Sequence, residues 1–392
     1  MTLALLSADG RALLDRLAGE QVGPDRALEL ARALRGSYPP DLVAAALTQQ
    51  ALRVAAREKF SRADEMLFTR AGLEQASSEL TAGHAAARFP VGPDSGIVAD
   101  LCCGIGGNLI ALGAQRRVLA VDRDPVTLAF ARHNASVYGA AGGLAAVAAD
   151  VAGISLDKVG AVFIDPARRA GGRRLAAGRS APPLDWCLSL AGQVAAVGIK
   201  AAPGLPRELV PPGWEAEFVA VGRDLKEALL WSPALATAAS RATILPAGDT
   251  LTPVPGEEGE IEVAAPGAFL MDPSPAVTRA GLVEDLGRRL GAWKIDPQIA
   301  FLSADREVRT PFARTLVVVE SAPWHEKHFG RRLRELGIGA ADIRRRGLAG
   351  DVEQIHRRLG LRGPGRATIV ITRVSGRPWG LICTNPPGES SP

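Results

Sequence analysis

The residues most able to do chemistry sit in one short stretch, Asp100-Leu101-Cys102-Cys103-Gly104-Ile105-Gly106-Gly107-Asn108. Glycines such as Gly104 and Gly106 let a backbone turn tightly and approach a ligand closely. A helix starting after them offers free N–H groups to that ligand. A dinucleotide turn would place a small residue three positions after Gly106, where this chain has Leu109. The acid before the glycines also argues against a pyrophosphate, because Asp100 would repel it and attract an ammonium group. Asn108 either caps the following helix or reaches the amino-acid end of the ligand.

Three further acids follow at the ends of short apolar runs: Asp122, Asp150 and Asp165. If those runs are parallel strands, all four carboxylates line the carboxyl edge of one open sheet, where such folds bind ligands. Asp122 is placed to accept from ribose hydroxyls, and Asp150 from an adenine amino group. Asp165, with Pro166, stands at the acceptor side of the same edge; it could bind the cofactor as a fourth strand-end acid, or orient or deprotonate the acceptor. Together they describe a pocket for S-adenosyl-L-methionine. Cys102 falls inside this cofactor-binding turn. It reads as a small side chain rather than a nucleophile, since no nearby sequence supplies a base.

Residues 1–88 have helical periodicity, with Leu13, Leu14 and Leu17 and later Leu28, Leu30, Ala31 and Leu34. A long helix is expected from about Asp41 to Arg57. From residue 89 to 245, apolar runs alternate with amphipathic stretches. The runs are Gly96–Leu101, Arg117–Asp122, Leu144–Ala149, Ala161–Asp165 and Val194–Lys200. This alternation predicts an α/β fold: a Rossmann-like, mostly parallel sheet of seven strands, closed by an antiparallel pair at Ala216–Val221 and Ala228–Trp231. Residues 246–269 are rich in Pro, Gly and Glu and read as a linker. Residues 270–392 form a small α/β domain, with a βαβαββ pattern from Arg314 to Thr384.

The acids in register resemble class I S-adenosylmethionine-dependent methyltransferases over about residues 65–232. ADLCCGIGGNLIAL, VDRDPVTLAFARHNASVYG and LFTRAGLEQA look like the trimethylguanosine-synthase type of RNA methyltransferase. That resemblance implies that Phe68 and Thr69 close over the cofactor, although a hydrophobic staple and an N-cap would use the same residues. The chain departs from that family after the fourth strand. It has Asp165-Pro166-Ala167-Arg168-Arg169 where the family places Ser-Pro-Pro-Trp, so its guanine-stacking tryptophan is missing there. FIDPARR, DLKEALLW, DPSPAVTRAGLV and RATIVITRV make the whole chain similar to bacterial methyltransferases with a C-terminal THUMP-like domain. This resemblance implies an RNA partner, tRNA or rRNA. The alternatives are a methyltransferase for a protein or small molecule, and a non-catalytic RNA-binding protein that keeps the cofactor fold.

Charge placement agrees with an RNA partner. Net charge is only +4, but residues 320–373 hold twelve Lys/Arg against six Asp/Glu, including Arg344, Arg345 and Arg346. Arg168 and Arg169, followed by Arg173 and Arg174, could grip phosphate near the acceptor site. Hydrophobic residues make up 47%, enough for a packed core. No apolar run approaches the roughly 20 residues that span a bilayer, and no basic leader precedes Asp9. The four cysteines form no CxxC and no metal-spaced set, so no metal is expected. A reducing, cytoplasmic setting fits them.

Overall fold

The computed structural model describes residues 3–387, except 21, 93–94, 168, 171–172, 175–179 and 349–350. It divides into two compact units, Met1–Ala216 with Glu227–Thr237, and Glu217–Lys226 with Ala238–Pro392.

The first unit opens with helices α1 (Ala8–Arg16), α2 (Pro24–Leu34) and α3 (Pro40–Ala56). Ser7 caps α1 by accepting from the Gly10 N–H at 3.1 Å. Proline in the first turn starts α2 and α3, where its missing N–H costs nothing. Leu42, Val43, Ala46 and Leu47 lie on one stripe of α3 and pack on Leu13, Leu14 and Leu17. Two short helices follow, α4 (Arg70–Gln75) and α5 (Glu79–Ala86).

Strand and helix then alternate: β1 (Ile97–Leu101), α6 (Gly107–Gly113), β2 (Arg117–Asp122), α7 (Pro125–Val137), β3 (Leu144–Ala148) and β4 (Val159–Ile164). After β4 come the two-residue partners β5 (Arg169–Ala170) and β6 (Arg173–Arg174), then α8 (Leu184–Ser189) and β7 (Ala196–Ala201). Strands β1, β2, β3, β4 and β7 pair in parallel. From Val98 to Leu101, and from Ala161 to Ile164, every residue is buried, as strands covered on both faces require.

The chain continues through β8 (Glu215–Val221), β9 (Asp224–Trp231), β10 (Ser240–Leu245) and β11 (Asp249–Leu251). The sheet order is β11-β10-β8-β9-β7-β4-β1-β2-β3. It has nine strands rather than the seven expected. The surplus is the antiparallel pair β10–β11, which turns at Gly248 with φ +80°. The stretch expected to be a linker from residue 246 therefore begins as half of a hairpin. Its turn chemistry hides a three-residue strand that composition alone reads as loop. Within the second unit, Ser240 Oγ donates to the Ala280 carbonyl at 2.7 Å.

The second unit contains β12 (Phe269–Pro273), α9 (Pro275–Ala280), α10 (Val283–Leu290), β13 (Trp293–Lys294) and β14 (Leu302–Ala304). Then follow β15 (Ala313–Pro323), α11 (Glu326–Glu335), β16 (Ile338–Arg345), α12 (Val352–Leu359), β17 (Gly365–Val374) and β18 (Arg377–Thr384). This is the βαβαββ order anticipated from the sequence. Its seven-stranded sheet runs β13-β14-β12-β15-β18-β17-β16. Phe329 and Leu333 of α11 and Leu359 of α12 pack on Ile369, Ile371 and Ile382. Among the described residues no helix is long and apolar enough to cross a membrane.

Candidate functional site

The parallel register of β1, β2 and β4 brings the strand-end acids together. Asp100 pairs with Ala120 on one side and Phe163 on the other, so the ends of these strands lie level. After β1 the backbone turns through left-handed Cys102 (φ +60°), Gly104 (φ +55°) and Gly106 (φ +93°). Gly106 is the N-cap of α6, and the helix start faces a cleft of about 720 Å³. The cleft is lined by Thr69, Cys102, Gly104, Asn108, Asp122 and Asp150, and at its other end by Asp165, Pro166, Pro182, Pro183 and Trp186.

Each acid has a distinct setting. Asp122 Oδ2 accepts from the Gly104 N–H at 2.9 Å, and Oδ1 from the Asp124 N–H at 3.0 Å. Asp150 is exposed and caps a short turn by accepting from the Ala152 N–H at 2.9 Å. Asp165 Oδ2 accepts from Lys200 Nζ at 2.7 Å. Asp100 differs from all three. It is fully buried, and neither carboxylate oxygen has a hydrogen-bond partner among the described residues. Burial drives its pKa well above the ordinary carboxylate value. The charges of Asp165 and Asp122 add to that rise, and Lys200 opposes it.

A buried, unpartnered carboxylate is costly unless something supplies a positive charge. Asn108 Oδ1, beside the turn, is likewise buried without a partner among the described residues. These orphaned acceptors, next to a cleft with a helix start and a row of acids, fit a ligand with an ammonium group at one end and a nucleoside at the other.

The other expected residues are placed less uniformly. Thr69 lines the cleft and also caps α4, its Oγ1 accepting from the Gly72 N–H at 3.0 Å. Phe68 is fully buried in a cluster with Phe60 and Ile105, so it supports the turn from behind. Arg168 lies outside the described residues, and of Arg169 only the backbone, in β5, is described. The three consecutive arginines of the second unit do not share one role: Arg344 and Arg345 are in β16 and Arg346 follows its end. Arg344 is 46% exposed and bonds Asp342 at 2.9 Å. Arg345 is half-buried. Arg346, expected to face a substrate, is instead engaged internally. It pairs with Asp272 at 2.7 Å, donates to the Ala300 carbonyl at 3.1 Å and lies over the Phe301 ring at 4.8 Å.

Sequence reading missed three residues. Asn134, on α7, is fully buried: its Oδ1 accepts from the Leu67 N–H, and its Nδ2 donates to the carbonyls of Leu67 and Ile105. It clasps the segment before α4 to the glycine turn. Lys200, near the end of β7, reads in the sequence only as the polar finish of an apolar run. Trp186 sits on a short helix that carries no signal of its own. Among the described residues no group of His, Cys, Asp or Glu is arranged to hold a metal ion.

Comparison with known proteins follows the same division. Residues 95–167 match the family model described as RNA cap guanine-N2 methyltransferase, and residues 313–385 that described as THUMP domain-like. Residues 2–56 match a domain of unknown function. An uncharacterised S-adenosylmethionine-dependent methyltransferase of Mycobacterium tuberculosis, found in strains CDC 1551 and H37Rv, is 38% identical over 317 residues. The match covers 79% of this chain and 85% of the relative. A crystal structure of a candidate methyltransferase from Porphyromonas gingivalis superimposes with a TM-score of 0.74 over 93% of this chain and 99% of that one. At 20% identity, that likeness is one of fold.

Proposed function

Because the chain belongs to the S-adenosylmethionine-dependent methyltransferases, we propose that it transfers the methyl group to a base of structured RNA, in tRNA or rRNA. When bound, the cofactor supplies an electrophilic methyl on a sulfonium. Asp100 and Asn108 would hold its amino-acid end, and their unpartnered buried oxygens support that assignment. Asp122 would accept from the ribose hydroxyls and Asp150 from the adenine amino group. Gly104, Gly106 and Cys102 form the turn around the cofactor, and Thr69 covers it, with Phe68 packed beneath. Asp165 and Pro166, at the far end of the cleft, would meet the acceptor, with Arg168 and Arg169 gripping its backbone.

The observation that carries the RNA reading is the arginine surface of the THUMP-like unit. Helices α11 and α12 pack side by side on one face of its sheet. Arg331 on α11 is 65% exposed and Arg358 on α12 is 56% exposed. On the edge strand β16, Arg344 is 46% exposed. Guanidiniums on neighbouring elements suit a phosphate backbone better than a compact small-molecule acceptor. A salt bridge to an acid that stays in solvent contributes little and does not prevent such use.

The test is mass spectrometry of nucleosides from RNA of a strain lacking the gene. One methylated nucleoside should be missing. It should return with the wild-type gene and not with Asp165→Ala. Identical nucleoside profiles with and without the gene would overturn the RNA assignment and favour a protein or small-molecule acceptor.

A further inference from the structure

Lys200 lies behind the acceptor end of the cleft and has no place in the cofactor-binding scheme above. Its side chain is only 4% exposed. Burying an ammonium is expensive unless partners surround it, and here they do. Nζ donates to Asp165 Oδ2 at 2.7 Å and to Ser77 Oγ at 2.8 Å, and lies 3.8 Å from Glu227 Oε2, itself 4% exposed. These residues arrive from separate elements. Ser77 precedes α5, Asp165 follows β4, Lys200 is the penultimate residue of β7 and Glu227 is on β9. Three segments that converge on the buried ammonium of a fourth make a rigid mount. Of its members, Ser77 and Asp165 reach the cleft wall.

The consequence for Asp165 is geometric. Its Oδ2 is taken by Lys200, while Oδ1 has no hydrogen-bond partner among the described residues, and the side chain is 20% exposed. Without the ammonium, Oδ2 would lose the partner that fixes it, and the carboxylate would be free to rotate. With it, one oxygen is pinned and the other is offered to the cleft.

We propose that Lys200, seated on Ser77 and Glu227, is the positioning residue that aims Asp165 at an acceptor atom carrying hydrogen, an N–H or an O–H. The free oxygen accepts that hydrogen bond and so sets the angle at which the acceptor meets the methyl group. The acceptor atom is then an exocyclic amine, a ring N–H or a hydroxyl, not a ring nitrogen without hydrogen, and the proton it sheds on methylation passes to the free Asp165 oxygen while the cofactor leaves as S-adenosylhomocysteine. This rests on Asp165 being the acceptor-side acid but not on the acceptor being RNA.

The experiment uses the full chain and methyl-labelled cofactor, with extract of a strain lacking the gene as the acceptor pool, split into RNase-treated and untreated halves. Lys200→Met should slow methyl incorporation roughly 10²-fold, the cost of a displaced positioning group. S-adenosylhomocysteine affinity should stay within about threefold, a change of less than 1 kcal/mol. Lys200→Arg, which keeps charge and donors, should recover most of the rate. A wild-type rate in Lys200→Met, or equal losses of rate and affinity, would overturn the proposal. So would a labelled methyl on an atom that bore no hydrogen. If Lys200→Met does not fold, Ser77→Ala loosens the same mount, and a rate unchanged by it would also overturn the proposal. RNase sensitivity reports separately on the RNA reading: label that survives the nuclease removes RNA as the acceptor and leaves the role of Lys200 to be judged on the variants.

Discussion

The Gly104 N–H donates to Asp122 Oδ2 at 2.9 Å across 18 residues of sequence, so the turn after β1 and the end of β2 form one hydrogen-bonded unit. The second oxygen of Asp122 is fixed by the Asp124 N–H at 3.0 Å. Both ties are made by backbone, so the carboxylate is held in place before any ligand arrives. Preorganisation of this kind lowers the ordering cost of binding.

Asn134 should be a stability residue with a functional consequence. Asn134→Ala leaves two backbone groups of Leu67 and the carbonyl of Ile105 without their side-chain partner. Each unsatisfied buried group costs about 1–3 kcal/mol, partly relieved by relaxation, so a loss of about 3 kcal/mol in urea denaturation is expected. A change below about 0.5 kcal/mol, typical of a surface position, would show that the clasp is unimportant.

Gly106 adopts φ +93°, and a Cβ there would meet Ala131 Cα and its carbonyl oxygen at 3.3 Å. Gly106→Ala should therefore cost about 1–3 kcal/mol and tilt the start of α6. Denaturation should report the first effect and weaker S-adenosylhomocysteine binding the second. An alanine variant with wild-type stability and affinity would contradict the strained turn.

Asp100 gives a pH signature. Its pKa in the folded chain is raised by burial and by its acidic neighbours, whereas the unfolded chain titrates near 3.9. Below that value both states are protonated and the fold keeps its full stability. Above it the unfolded state releases its proton first, so stability falls as pH climbs toward the raised folded value. Asp100→Asn removes this term. Wild type should therefore lose stability relative to the variant between pH 4 and neutrality in ligand-free denaturation series. Parallel curves would refute the raised titration.

Cys102 lines the cleft, yet its thiol is pushed up to about 12, by burial first and then by the charge of Asp122. Only the thiolate alkylates readily. Iodoacetamide at pH 8 should therefore label native Cys102 at least about 10²-fold more slowly than a free thiol of pKa near 8.5, as followed by peptide mass spectrometry. Rapid labelling would restore the possibility of a nucleophilic role.

The order of elements was legible because apolar runs and helical stretches alternate plainly from β1 to β4 and again from β15 to β18. The strand-end acids were legible because a polar residue that closes an apolar run must sit at the sheet edge. Long-range pairing was not. Lys200 meets Asp165 across 35 residues, and nothing local distinguishes it from any lysine near the end of a strand. Arg346 shows the reverse error. Its place in an arginine run suggested a ligand contact, but Asp272 and Phe301, both distant in sequence, claim its guanidinium. The β10–β11 hairpin was hidden by Pro246 and Gly248, whose turn chemistry resembles that of a linker.

Isothermal calorimetry with S-adenosylhomocysteine, on the wild-type chain and on Asp122→Ala, is the most direct measurement of whether the strand-end acids hold the cofactor. Wild type should bind one equivalent, and the variant at least tenfold more weakly, about 1.4 kcal/mol. Absence of binding by the folded wild-type chain, or equal affinity in the variant, would contradict the assignment of this cleft.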